Sequence, residues 1–439
     1  MPAITFDQFQ GGLDLRKGAS VSDADRLRVL DNCYVTTGKT IRKRPGLTLV
    51  ANLEPGTVGL RAGNSKLNTF YGTGSVTHAD TRFVANKVPN PLDLAQEVAK
   101  IHYADTFNGF LYVVAEYEDG TIRHHYLDDV TVLDAWAATT AYSLGDVRRP
   151  TVSNGFRYEV TTAGTSDGSE PTWPTTIGAT VVDGTVTWTC RAAEITDANC
   201  PHTAAVIRKA SKMFACKGDV VRFSATNNPR DWTTSNDAGF LGVGVQQSGS
   251  TESTALGEYA GNLVVFFRDG GQVWSVDPDP ANMRFVQRLD VGCPYPYGAG
   301  NMAGDVFFTS YEGVRSVTTQ STTGNLIDVD VGSAIDKLMK PVLTPNANAR
   351  AFFFRGGGQF WVLVGNDAYV YSFSRTSKIS AWSRYTFDFP IDGVTELDGD
   401  LYVRSGNAVY VLDEEAYTDA GSIFPVTVEF PYLDFKAPG

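Results

Sequence analysis

The 439-residue sequence predicts an all-β fold, an irregular β-propeller of six to eight blades, from three observations. A hairpin pattern recurs along the chain. Gly, Asp and Asn turns separate short runs rich in β-branched and aromatic side chains. Helical periodicity is almost absent.

Each repeat reads as a turn, an apolar run, a second turn and a second apolar run. Clear copies run from Gly261 through Phe267 to Val276, Gly304 through Phe308 to Val317, Gly358 through Val364 to Phe373, and Gly399 through Val403 to Leu412. Earlier copies begin at Gly109 and Met213, and a weaker seventh covers Leu67 to Tyr71. Asp-Gly and Gly-Asn pairs supply the positive φ of tight hairpins. Most steps between copies are about 41 to 54 residues, the length of a four-stranded blade. Radial repetition also hides sheet edges. A β-sandwich with generic hairpins is the competing reading, because no WD or kelch signature marks the blades. The best helix signal is Val331 to Lys340, with Ala334, Ile335, Leu338 and Met339 on one face and Ser333 as N-cap.

Residues 135–192 interrupt the period. This stretch is rich in Gly, Thr and Trp and contains Trp136, Tyr142, Tyr158, Trp173 and Trp188. Pro171 to Trp188 is its most specific part. It resembles the small β modules related to carbohydrate-binding and chitin-binding domains. That resemblance implies that the five rings could stack on sugar faces. The same rings also suit the core of so small a unit, which has little else to bury.

At the N-terminus, Phe6, Phe9 and Gly11-Gly12 precede Asn32-Cys-Tyr-Val35 and Ile41-Arg-Lys-Arg-Pro-Gly46. Near the C-terminus stands Val426-Thr-Val-Glu-Phe-Pro-Tyr-Leu-Asp434, before Lys436-Ala-Pro-Gly439. Both ends resemble the tail nozzle proteins of short-tailed bacteriophages, also called tail tubular protein B, and the related packaged-DNA stabilisation proteins. The matching positions are Gly11, Gly12, Asn32, Val35, Arg44, Pro45 and Gly46. Some members of that family continue further, which puts the role of a longer tail region in doubt.

The expected organisation is an N-terminal platform segment (1–60), a first propeller part (61–134), the inserted module (135–192), a second propeller part (193–415) and a C-terminal platform strand (416–439). The resemblance implies a homo-hexameric ring in the virion tail, assembled in the bacterial cytoplasm. An adaptor would sit above it and tail fibres or tailspikes at its periphery. Genomic double-stranded DNA would pass through without sequence recognition. Arg42, Lys43 and Arg44 form the tightest basic cluster and are candidates for adaptor or DNA contact, or a solvated turn. Loop tips around Asp237, Phe240, Asp277 and Asp279 are candidates for a channel gate.

Composition bears on the chemistry. A net charge of −12 argues against sequence-specific DNA binding, yet suits a wall past which phosphates slide. The odd set Cys33, Cys190, Cys200, Cys216 and Cys293 lacks CxxC spacing, so buried free thiols are expected rather than zinc or disulfides. His124 and His125 are adjacent on a presumed strand and point to opposite faces. No apolar run is long enough to span a membrane, and the N-terminus does not read as a signal peptide. HExxH, P-loop and nucleophile-elbow motifs are missing, and no cofactor is expected. Acidic pairs such as Asp277 and Asp279 leave a glycosidase as a minor reading. A structural conduit is the leading expectation, with a host-surface glycan-binding adhesin as the alternative.

Overall fold

The computed structural model describes residues 8–72, 76, 78–90, 95–127, 134–152, 154, 156–247, 249–302, 304–323, 330–345 and 347–432. Phe6, the closing Leu433 and Asp434, and Lys436 to Gly439 lie outside the described residues. The chain is all-β, a series of small meander sheets in the propeller-like manner expected. It divides into two compact units: Met1–Ala51 with Gly218–Val220 and Gly242–Gly439, and Asn52–Lys217 with Val221–Leu241.

In the Asn52–Leu241 unit the first sheet comprises Val58–Gly63, Lys66–Tyr71 and Phe83–Lys87. The second comprises Val98–Phe107, Phe110–Tyr117 and Ile122–Leu127, and the third runs from Val206–Lys209 through Lys212–Lys217 and Val220–Phe223 to Gly239–Leu241. In the other unit the fourth sheet runs from Ser253–Tyr259 to Arg284–Leu289, and the fifth comprises Ala299–Met302, Asp305–Ser310 and Gly313–Ser316. The sixth is built on Arg350–Phe354, Gln359–Val364, Asp367–Ser374 and Ile379–Thr386. The seventh is built on Gly393–Leu397, Asp400–Ser405 and Ala408–Asp413.

Every copy of the sequence repeat falls on the second strand of one of these sheets. The weak copy at Leu67 is included, but its third strand, Phe83–Lys87, runs parallel to Lys66–Tyr71 rather than closing a hairpin. The sharpest turns come earlier than expected, between the first and second strands. Asn64-Ser65, Asn108-Gly109, Ala210-Ser211, Ala260-Gly261 and Asp398-Gly399 each hold two consecutive positive φ angles. Two such residues are what a type I′ turn demands, and its twist matches that of the strands it joins. The second strands are buried on both faces. Leu263, Val264, Val265, Phe266 and Phe267 are all fully buried, which is why their sequence reads as a continuous apolar run instead of an alternation. Phe266 packs on Phe308 of the next sheet at 4.7 Å between ring centres. Burial of each ring contributes roughly 1.5–3 kcal/mol.

The helix expected from Val331 is shorter, Asp336–Met339, and its N-cap is Ile335 rather than Ser333. Apolar packing holds it in place instead of a capping hydroxyl: Ile335 and Met339 are buried, and Ala334 and Leu338 pack beside them. A second helix, Val317–Thr323, lies where a strand end was expected. Its run of Thr and Ser carries no apolar period to announce it.

The chain ends add strands to existing sheets. Gly12–Leu13 joins the sixth sheet parallel to Ile379–Thr386, Val29–Asp31 follows, and Thr427–Glu429 pairs antiparallel with Val29–Asp31. Gly46–Asn52 was expected in the platform. It lies instead beside Ala408–Asp413 as the fourth strand of the seventh sheet, with Thr418–Asp419 on its other side.

The stretch 135–192 pairs within itself. Val147–Arg148, Phe156–Thr162, Val186–Ala192 and Thr180–Asp183 form one sheet, and Ala141–Tyr142 pairs with Gly164–Thr165. The chain leaves the second sheet after Leu127 and returns beside that sheet's third strand. There the Tyr126 amide donates to the Ala193 carbonyl (2.9 Å) and the Ile195 amide to the His124 carbonyl (2.8 Å). The module therefore sits in the connection that follows a third strand.

Candidate functional site

Three of the positions that carry the resemblance, Asn32, Arg44 and Gly46, meet at the joint between the two chain ends, and the others support the strands beside it. Gly12 has φ +52°, and a Cβ there would stand 2.7 Å from the Ala381 Cβ. Only a residue without a side chain lets this strand lie against the sixth sheet. Asn32, also left-handed at φ 54°, donates from Nδ2 to the Pro425 carbonyl (2.9 Å) and accepts at Oδ1 from the Thr386 amide (2.9 Å). A Cβ on Gly46 would meet the Thr418 carbonyl oxygen at 2.2 Å. Val35 is buried in the core beneath.

Arg44 is the centre of the joint. Its guanidinium donates twice to Asp419, from Nη1 at 2.9 Å and Nη2 at 2.5 Å. It also donates to Asn32 Oδ1 (3.0 Å) and to the carbonyls of Pro45 (3.0 Å) and Thr386 (3.1 Å). These bonds match the five N–H donors an arginine owns. The rings of Phe424 and Phe387 lie 3.7 Å and 4.5 Å from its central carbon. Side-chain exposure is 0% for Arg44 and 2% for Asp419. This corrects the expectation of adaptor or DNA contact at Arg44, whose charge is consumed inside the chain. Lys43 leans on the Phe424 ring at 4.2 Å. Arg42 remains exposed, 3.5 Å from the Tyr417 hydroxyl and 3.9 Å from Glu414.

A second ionic knot lies nearby in sequence. Buried Asp14 accepts from Arg16 (2.7 Å) and Arg26, and Arg28 donates to the Lys17 carbonyl (2.8 Å). Burial alone would raise the Asp14 pKa, but the arginines outweigh it and hold the carboxyl below its usual range. These basic residues are scattered along the sequence, so no run announced them.

The module's rings are its own core, and this corrects the stacking expectation for four of the five. Trp136, Tyr142, Tyr158 and Trp188 are all buried. Asp183 is the buried hub: its Oδ2 accepts from both the Trp136 indole (2.7 Å) and the Trp188 indole (3.1 Å). Trp173 is half-buried, lies 4.2 Å from the Tyr158 ring and donates to Glu170 (2.8 Å).

Of the gate candidates, Phe240 is 58% exposed. Asp237 is left-handed (φ 62°) and pairs with buried Lys212 at 3.2 Å. Asp277 is half-buried and Asp279 exposed, and Asp279 accepts from the Ala281 amide (3.0 Å) to cap a short 3₁₀ turn. Asp237 and Phe240 belong to one unit, Asp277 and Asp279 to the other.

The histidines and thiols are structural in placement. The Thr203 carbonyl accepts from His124 Nε2 (2.8 Å), leaving Nδ1 to accept from the Tyr112 hydroxyl (2.7 Å), with Cys200 Sγ 3.5 Å away. His125, on the opposite face, pairs with the Tyr117 hydroxyl (2.8 Å). Burial lowers both imidazoles to about 3. All five cysteines are buried free thiols, and burial pushes Cys33 and Cys293 up to about 12. Among the described residues, no three His, Cys, Asp or Glu side chains are grouped to hold a metal ion.

No family model and no curated protein matches the sequence. Among solved structures, the chain is similar to BamB from Moraxella catarrhalis, with 11% identity, a TM-score of 0.38, and coverage of 83% of this chain and 97% of that one.

Proposed function

We propose that the protein is a non-enzymatic structural component of a virus tail. It is a hexameric nozzle below the portal and adaptor that lines the DNA path, retains the packaged genome and releases it on infection. One observation carries this reading. Three of the residues on which the nozzle resemblance rests, Asn32, Arg44 and Gly46, meet Pro425, Asp419 and Thr418 and so knit the N-terminal strands to the C-terminal segment in one joint. A segment so built is suited to bear load between neighbours in a ring. The acidic net charge also favours passage of DNA over adhesion to it. Cys33 and Cys293, held as thiols by burial, and His124 and His125, held neutral by burial, are in accord with a role without chemistry.

Electron microscopy of the purified protein mixed with its portal–adaptor complex tests the reading. A six-fold ring capping the tail, with a channel wide enough for a duplex, is expected. A monomer that ignores the complex would overturn it. Within this reading, exposed Phe240 and the Asp277–Asp279 loop are the gate candidates, and deleting either loop makes assembled particles leak DNA.

A further inference from the structure

Four of the five rings of the inserted module are consumed by its core, but the larger unit has an exposed ring, Phe373, and a half-buried one, Phe353, beside open pockets. A pocket of about 660 Å³ is lined by Tyr259, Phe307, Tyr371, Phe373 and Arg375, among others. A second, of about 390 Å³, shares Ala260 and Gly304 with it and adds Glu258, Asn301, Phe353 and Arg355. A third, of about 520 Å³, shares Asn301, Phe353 and Arg355 and reaches Glu396 and Asp398. The three form one groove along the first hairpin turns of the fourth to seventh sheets, all within one unit. Each pocket falls within the size range of small-ligand sites.

The groove alternates rings with polar arms. At one end Phe373 is 39% exposed, and its ring stacks at 20° on Tyr371, 6.2 Å away. Tyr371 is itself held by Trp382 (5.0 Å) and by the Ser380 hydroxyl (2.7 Å), so the outer ring has a rigid backing. Half-buried Phe353 lies further along. Between them, Asn301 accepts from the Glu258 amide at Oδ1 (3.0 Å), which fixes the carboxamide plane and leaves its two N–H donors without a hydrogen-bond partner among the described residues. Glu396 accepts from the Arg355 amide through Oε2 (2.9 Å), which leaves Oε1 as an acceptor. The Arg355 and Arg375 side chains form no ion pair among the described residues.

We infer that this groove binds a neutral oligosaccharide, with pyranose faces on Phe373 and Phe353 and hydroxyls on Asn301, Glu396 and Arg355. A sugar ring has an apolar face of C–H groups and a rim of hydroxyls that both donate and accept, which matches flat rings flanked by fixed amide and carboxylate groups. Arms already locked by the backbone lose little entropy on binding. Two arginines set against Glu258, Glu396 and Asp398 leave no net positive charge for an acidic glycan. The inference stands apart from the nozzle reading, since a ring of any symmetry can carry such a groove.

Saturation-transfer NMR and calorimetry on the full-length protein test it, using maltohexaose, cellohexaose, chitohexaose and mannohexaose, with a basic hexapeptide as the different occupant. Binding of at least one hexasaccharide is expected, weakened about tenfold by Phe373→Ala and by Asn301→Ala and unchanged by Trp173→Ala. Both groove positions are exposed, and an unchanged melting temperature shows that the variants fold. Three results would overturn the inference: binding to none of the four sugars at millimolar concentration, binding that survives both groove variants, or binding only of the peptide.

Discussion

Arg44 and Asp419 are joined by two hydrogen bonds of 2.9 and 2.5 Å in a place that water does not reach. A buried pair adds little net stability over an apolar pair of the same shape, but removing one partner strands the other charge. Arg44→Met and Asp419→Leu are each expected to cost about 3–5 kcal/mol, and the double variant to recover part of that loss. Denaturant titration of the three variants checks it. Additive losses would show that the two residues act independently.

Gly46 predicts a steric effect. Its Cβ would meet the Thr418 carbonyl at 2.2 Å, whereas a Cβ on Gly18 would meet nothing within 4 Å. Gly46→Ala is expected to lower stability by about 1–3 kcal/mol because the backbone must shift, and Gly18→Ala to leave it within about 0.5 kcal/mol. Paired melting curves decide this.

His124 and His125 predict acid sensitivity. Burial lowers both to about 3, below the 6.5 of an exposed imidazole. The unfolded chain then binds protons that the folded one refuses, so stability is full above pH 6.5 and falls as pH drops toward 3. The slope is about 1.4 kcal/mol per pH unit for each histidine. Glu194 in the same unit is raised, chiefly by burial, and offsets part of this near its own titration. His125→Gln should flatten the profile between pH 6 and 4. An unchanged slope in urea titrations across that range would count against the assignment.

Trp188 and Trp173 should separate core from surface within the module. Trp188 is fully buried and bonded to Asp183, whereas Trp173 is half-exposed. Trp188→Ala is expected to cost about 3–5 kcal/mol and unfold the module, and Trp173→Ala markedly less. Indole fluorescence and proton NMR of the two variants report the difference.

The repeat was legible in the sequence because hairpin turns and aromatic runs are local signals, and all seven copies mark the middle of a sheet. The interruption at 135–192 was legible for the same reason. Partnership across long separations was not. Arg44 stands in a run of three cations that reads as solvent-facing, and its partner Asp419 is placed beside it only by the tertiary fold. Nothing local marks Asp183 as a hub, and its two indole donors come from either side in the chain. The groove ring Phe373 sits near the end of an otherwise buried strand and Phe353 on a half-buried one, where exposure depends on what the neighbouring sheet leaves uncovered.

The strand Gly46–Asn52, which completes the seventh sheet beside Ala408–Asp413, has a consequence for biosynthesis. It leaves the ribosome about 360 residues before the strands on either side of it. Until those strands are made its edge has no partner in that sheet, and completing the sheet is a slow, high-contact-order step. The early strand is therefore held as an unpaired edge for most of the synthesis of its own sheet.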